Sequence, residues 1–85
     1  MMNHKALVEI FVPAAGEKFD VFIPLGSKMS DVLKLVSAVL SDLSEGRYRA
    51  SSESVLCDAK TGIIFNINME VAELGIHNGS QLLLV

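Results

Sequence analysis

At 85 residues the chain has room for one hydrophobic core, and with half its residues hydrophobic and a positive mean hydropathy it is not a disordered chain. A formal net charge of -3, with the few lysines and arginines scattered, excludes nucleic acid as a partner, because phosphate binding needs clustered positive charge. One cysteine excludes an internal disulfide framework and suits a reducing compartment, and no apolar run is long enough for a signal peptide or membrane span.

Met1-Met2-Asn3-His4-Lys5 leads directly into a run from Lys5 to Pro13 that alternates as a strand does, with Val8, Ile10 and Val12 on the core side and Leu7, Glu9 and Phe11 on the wetter side. Ala14-Ala15-Gly16-Glu17 supplies a turn. Lys18 to Pro24 alternates again, with Phe19, Val21 and Ile23 inward and Lys18, Asp20 and Phe22 outward. These two runs predict an antiparallel hairpin, ended by Pro24, which has no N–H for a ladder.

Leu25 to Lys28 leads into the one strong helix. Met29, Val32, Leu33, Val36, Val39, Leu40 and Leu43 recur at three- and four-residue steps. Ser27 or Ser30 is the expected N-cap, Asp31 favours the positive end of the helix dipole, and Gly46 suits a left-handed C-terminal cap. Leu35 falls beside the stripe and either widens the buried face or sits partly exposed.

Ser44 to Ser54 reads as a polar surface connection. Val55-Leu56-Cys57 is a short strand, expected with Val55 and Cys57 inward and Leu56 outward. Asp58 to Gly62 is a turn and Ile63-Ile64-Phe65 a brief strand. Val71, Leu74 and Ile76 space as a helical turn, Asn78-Gly79 makes a tight turn, and Gln81 to Val85 closes the sheet with Leu82 and Leu84 inward. The reading is a single domain over residues 1–85 of the α+β class, a mixed sheet packed on one main helix.

This order is the β-grasp layout, and the placing of apolar positions from Leu7 to Val85 resembles ubiquitin. The Leu74-Gly75-Ile76 turn, Asn78-Gly79 and a last strand ending on Val85 are most similar to the YukD/EsaB proteins that accompany type VII (WXG100) secretion machinery in Gram-positive bacteria. That resemblance implies a cytoplasmic, non-enzymatic accessory or regulatory module, not conjugated because no terminal Gly-Gly is present. The competing expectation is a ubiquitin-like modifier or sulfur carrier whose C-terminal tail is lost or truncated. A small enzyme would need converging polar groups that the sequence does not supply.

The outer sheet face is the expected interaction surface, built from Leu7, Phe11, Phe22, Leu56, Leu83 and Val85. In the β-grasp order the first strand lies between the second and the last, and the third lies beside the last. Leu56, Leu83 and Val85 should then cluster where ubiquitin has its main recognition patch. The occupant is a protein partner, such as secretion-machinery components, or a second copy in a homodimer. No catalytic, cofactor or metal residues are expected. Cys57 reads as core filling rather than a nucleophile, since a reactive thiol needs an exposed, electropositive site. His4 and His77 lack metal-ligand spacing, and Asp58-x-Lys60-x-Gly62 lacks the oxygen ligands of a calcium loop. Arg47, Tyr48 and Arg49 read as a solvated basic-aromatic loop rather than a contact for an acidic partner.

Overall fold

The computed structural model describes residues 4–85, so the Met1–Asn3 lead lies outside the described residues. Strands β1 (Lys5–Val12) and β2 (Glu17–Pro24) form the expected hairpin, followed by helix α1 (Met29–Leu43) and strand β3 (Leu56–Asp58). A single 3-10 turn (Val71–Leu74) and strand β4 (Gln81–Leu84) complete the described elements. The sheet order is β2-β1-β4-β3, with β1 and β4 parallel and the other pairs antiparallel. This mixed sheet with one crossing helix is the β-grasp.

The period-two pattern does in β1 what it predicts. Ala6, Val8, Ile10 and Val12 are all buried, and Ile23, Leu82 and Leu84 join them on the inner face. Phe19 and Val21 are only half-buried, because β2 is the edge strand of the described sheet and has a neighbour on one side only. Met29, Val32, Val36 and Leu40 supply the helix side of the core. Leu43, expected on that stripe, is exposed at the last residue of the helix.

Both helix termini differ from expectation. The N-cap residue is Lys28, with no side-chain cap, rather than Ser27 or Ser30. The first amides are satisfied by a distant loop: Met29 N–H donates to Met69 O at 2.8 Å and Ser30 N–H to Ile67 O at 3.0 Å. With loop carbonyls meeting these orphan donors, a serine cap is unnecessary. At the other end Glu45 N–H donates to Asp42 O and Gly46 N–H to Ser41 O, the paired bonds of a Schellman motif. The left-handed position that follows the cap is therefore Glu45, at φ 55°, and Gly46 comes one residue later at φ 82°.

The Ser44–Ser54 connection is not solvated throughout. Tyr48 is only 4% exposed and belongs to the core, and Ser44 and Ser54 are buried. The Tyr48 hydroxyl donates to Ser54 Oγ at 2.6 Å, while Ser44 Oγ accepts the Tyr48 N–H at 3.0 Å. The serines are there as internal partners for buried donors. Ile63-Ile64-Phe65 forms no strand; one bridge, Ile64 to Cys57, holds the segment to the edge of β3.

Leu56 is the principal correction. It pairs with Leu84 across the β3–β4 ladder and is 2% exposed, inside the core. Alternation correctly groups Val55 with Cys57 against Leu56, but the two sides are reversed. A three-residue strand carries too little pattern to say which side is inner, and its register against inward Leu84 decides it.

Candidate interaction surface

Residues directly opposite in neighbouring strands share a face, so the register assembles the outer surface row by row. In the first row Leu7 faces Phe22. The second is polar: Asp20, Glu9 and Gln81 lie side by side across β2, β1 and β4. The third runs Lys18, Phe11, Leu83, Cys57 and Ile64, crossing four strands to the bridging loop. Beyond it Val55 and Val85 exchange backbone hydrogen bonds at 2.9 and 3.0 Å, which puts them opposite each other on the same face.

The expected patch is therefore divided. Leu7 and Phe22, the latter 59% exposed, form a small apolar pair at one end. Phe11, Leu83 and Val85 lie across the polar row, joined by Val55 and Ile64, and Leu56 is absent because it is core. Val85 is 49% exposed and Ile64 more so, whereas Leu83 is half-buried between its neighbours. The two new members carry no signal of their own in the sequence. Ile64 reaches the face through a single bridge to Cys57, and Val55, expected inward with Cys57, comes outward with it.

The polar row limits how the surface can be used. Lys18 Nζ lies 3.8 Å from Glu9 Oε1, an exposed pair that contributes about 0–1 kcal/mol. It orders the boundary more than it stabilises the fold. The larger patch carries the binding potential: covering an apolar side chain fully is worth about 1.5–3 kcal/mol. Association entropy offsets a large share of any such gain. The surface suits a docking face for another protein's apolar side chains.

Other candidates resolve into structure. Cys57 lies in the outer row, not in the inner core, yet it is buried, and loss of water contact pushes its thiol pKa up. A thiol so placed is a poor nucleophile at neutral pH. His77 is exposed, with Nδ1 2.8 Å from Asn78 O, and His4 is exposed just before β1. Asp58 Oδ1 accepts the Lys60 and Thr61 amides at 2.7 and 3.3 Å, which makes it a turn-former. Among the described residues no three His, Cys, Asp or Glu side chains are grouped to hold a metal ion. None of their helices is long and apolar enough to cross a membrane.

Arg47 is committed within the chain. Its Nε donates to Ser44 O at 3.0 Å, Nη1 to Ala15 O at 3.0 Å and Nη2 to Glu17 Oε1 at 2.5 Å. It clamps the β1–β2 turn to the end of the helix. With Tyr48 buried and Arg47 bonded within the chain, Arg49 is exposed beside a shallow groove of about 450 Å³ that also touches Pro13, Glu53 and Val85.

No protein-family model matches this chain, and no curated protein sequence matches it. Solved structures do. The ubiquitin-like domain of the type VII secretion protein EccD1 from Mycobacterium tuberculosis is 19% identical, with a TM-score of 0.76, covering 95% of this chain and 97% of that one. The EccD5 ubiquitin-like domain from Mycobacterium xenopi is 18% identical, with a TM-score of 0.80 and coverage of 98% and 94%. A chain of the ESX-5 inner membrane complex is 19% identical at a TM-score of 0.72, with 98% of this chain matching 21% of that longer one. The same fold occurs in a chain of a toluene 4-monooxygenase complex, so it does not by itself dictate function. These likenesses establish a ubiquitin-like β-grasp.

Proposed function

We propose that this chain is a non-enzymatic, ubiquitin-like interaction module of a type VII (WXG100) secretion system, of the YukD/EsaB kind. It works as one domain on the cytoplasmic side, and its docking surface is the outer sheet face around Phe11, Leu83 and Val85, with Leu7 and Phe22 as a secondary contact. The observation that carries this reading is the apolar row from Phe11 through Leu83 to Ile64, extended by Val55 and Val85, on the face opposite the helix. The likeness to EccD ubiquitin-like domains supports the choice of secretion machinery over other settings for the fold.

The test is capture of secretion-machinery proteins from cells making tagged wild-type chain, Phe11→Asp or Val85→Asp, with circular dichroism as the folding control. Both substitutions are expected to abolish capture and lower WXG100 protein export while the fold persists. Unchanged capture and export by folded variants would remove the outer face from the mechanism.

A further inference from the structure

We propose that the free edge of β2 joins the same edge of a second copy, making an antiparallel two-fold dimer through a surface distinct from the docking face. In the described sheet β2 is an end strand, paired only with β1. Leu25 N–H donates to His4 O at 2.6 Å, which fixes the phase of the ladder. Pairs alternate from there, so Val21 and Phe19 bond to β1 while the peptide groups of Lys18, Asp20 and Phe22 point to the free edge. A strand edge of this kind is a template for another strand unless its side chains forbid it.

Here the side chains select one pairing. Lys18, Asp20 and Phe22 bond outward, so the centre of the pairing must set outward-bonding residues opposite each other. A two-fold centred on Asp20 sets Asp20 against Asp20, and one centred on Lys18 opposes two lysines. Centring on Val21 or Phe22 brings Lys18 or Asp20 opposite Pro24, which has no N–H. Centring on Phe19 places each Lys18 opposite Asp20 of the second copy and sets the two Phe19 rings together on the inner face. Opposite charges and aromatic pairs directly across a ladder are both favourable.

The inner flank agrees. Phe19 and Val21 are half-buried beside β2. The helix flank carrying Ser30, Leu33 and Ser37 faces the Ala50–Ser54 loop, on the β3 side of the sheet. The opposite flank, with Leu35, Val39 and Leu43, therefore lies toward β2, and Leu35 and Leu43 are exposed there. A two-fold related copy brings this apolar flank, Phe19 and Val21 with exposed Leu35 and Leu43, against its own counterpart.

Sedimentation of the full chain from micromolar to millimolar concentration tests this. The wild-type chain is expected to dimerise as concentration rises, with slowed amide exchange at Lys18 and Asp20. Asp20→Lys, which sets lysines opposite lysines, should weaken the dimer roughly tenfold or more. The exchanged pair Lys18→Asp with Asp20→Lys should restore it, and Val85→Asp, on the far side of the sheet from β2, should leave it intact. A chain monomeric throughout, a dimer indifferent to Asp20→Lys, a swap that fails to rescue, or a dimer lost on Val85→Asp would each overturn the proposal. Protection of these two amides only on adding a different protein would give the edge to a foreign strand and overturn it equally. Loss of partner capture by Val85→Asp is read separately, so failure of either reading leaves the other standing.

Discussion

Asn78 holds Leu7 by the backbone. Its side-chain Oδ1 accepts the Leu7 N–H at 2.8 Å, and the N–H of the following Gly79 donates to Leu7 O at 2.8 Å. The turn before β4 thereby sets the register of the parallel β1–β4 pairing, and with it the alignment of Phe11 and Leu83 on the outer face. Asn78→Ala is expected to cost about 1–2 kcal/mol in urea unfolding, while Asn78→Asp, which keeps the acceptor, costs less. Gly79→Ala should cost about 1 kcal/mol for a different reason: φ is 88° and no atom crowds the added Cβ, so the loss is purely conformational.

Tyr48 is expected to behave as a core residue. Tyr48→Phe removes one buried hydrogen bond and should cost about 1 kcal/mol, while Tyr48→Ala should cost about 3–5 kcal/mol. Arg49→Ala, at the next residue of the same loop, should change the thermal midpoint little. A solvated loop would show the same small effect at both positions.

Glu45 sits at a left-handed φ with its side chain exposed. Glu45→Gly relieves that strain, partly offset by greater freedom of the unfolded chain, and should stabilise by about 0.5–1 kcal/mol. Chemical denaturation measures it directly. Destabilisation would mean that the glutamate makes a compensating interaction.

Leu56 and Phe11 should separate cleanly between stability and binding. Leu56→Ala opens a cavity beside Leu84 and is expected to cost about 2–5 kcal/mol, whereas exposed Phe11→Ala should cost far less. Partner capture should show the reverse order when each variant is assayed folded.

Burial holds the Cys57 thiol in its neutral form more firmly than in the unfolded chain. Its stabilising effect is thus fully present below the ordinary thiol pKa and is lost as pH rises through the higher folded value. The urea midpoint should fall across that alkaline window in the wild-type chain and less so in Cys57→Ala. Iodoacetamide should label the native thiol more slowly than the denatured one.

The sequence is legible where a period repeats. Seven or eight alternating positions in β1 and β2, and four turns of apolar spacing in α1, each leave one consistent way to face the core. Leu56, in a strand of three residues, has no such redundancy, and its side is chosen by Leu84 far along the chain. Tyr48 was hidden for a related reason: a lone aromatic among serines carries no period, and its burial depends on hydroxyl partners that only folding supplies. The helix start is not legible in the sequence because its cap is made of carbonyl groups, which every residue type possesses. The outer surface was half visible, since Phe11, Leu83 and Val85 follow from alternation, whereas Ile64 reaches it through a single bridge.

The carbonyls of Ile67 and Met69 give α1 an entry condition as well as a cap. The helix cannot satisfy its opening amides from its own neighbourhood, so a fragment ending before residue 67 would hold its whole helical sequence without those acceptors. Its first turn would fray in such a piece, and the stiffening would arrive together with the late loop. This ties secondary structure to long-range closure in one cooperative step, which favours all-or-none assembly over a pre-formed helix awaiting its sheet.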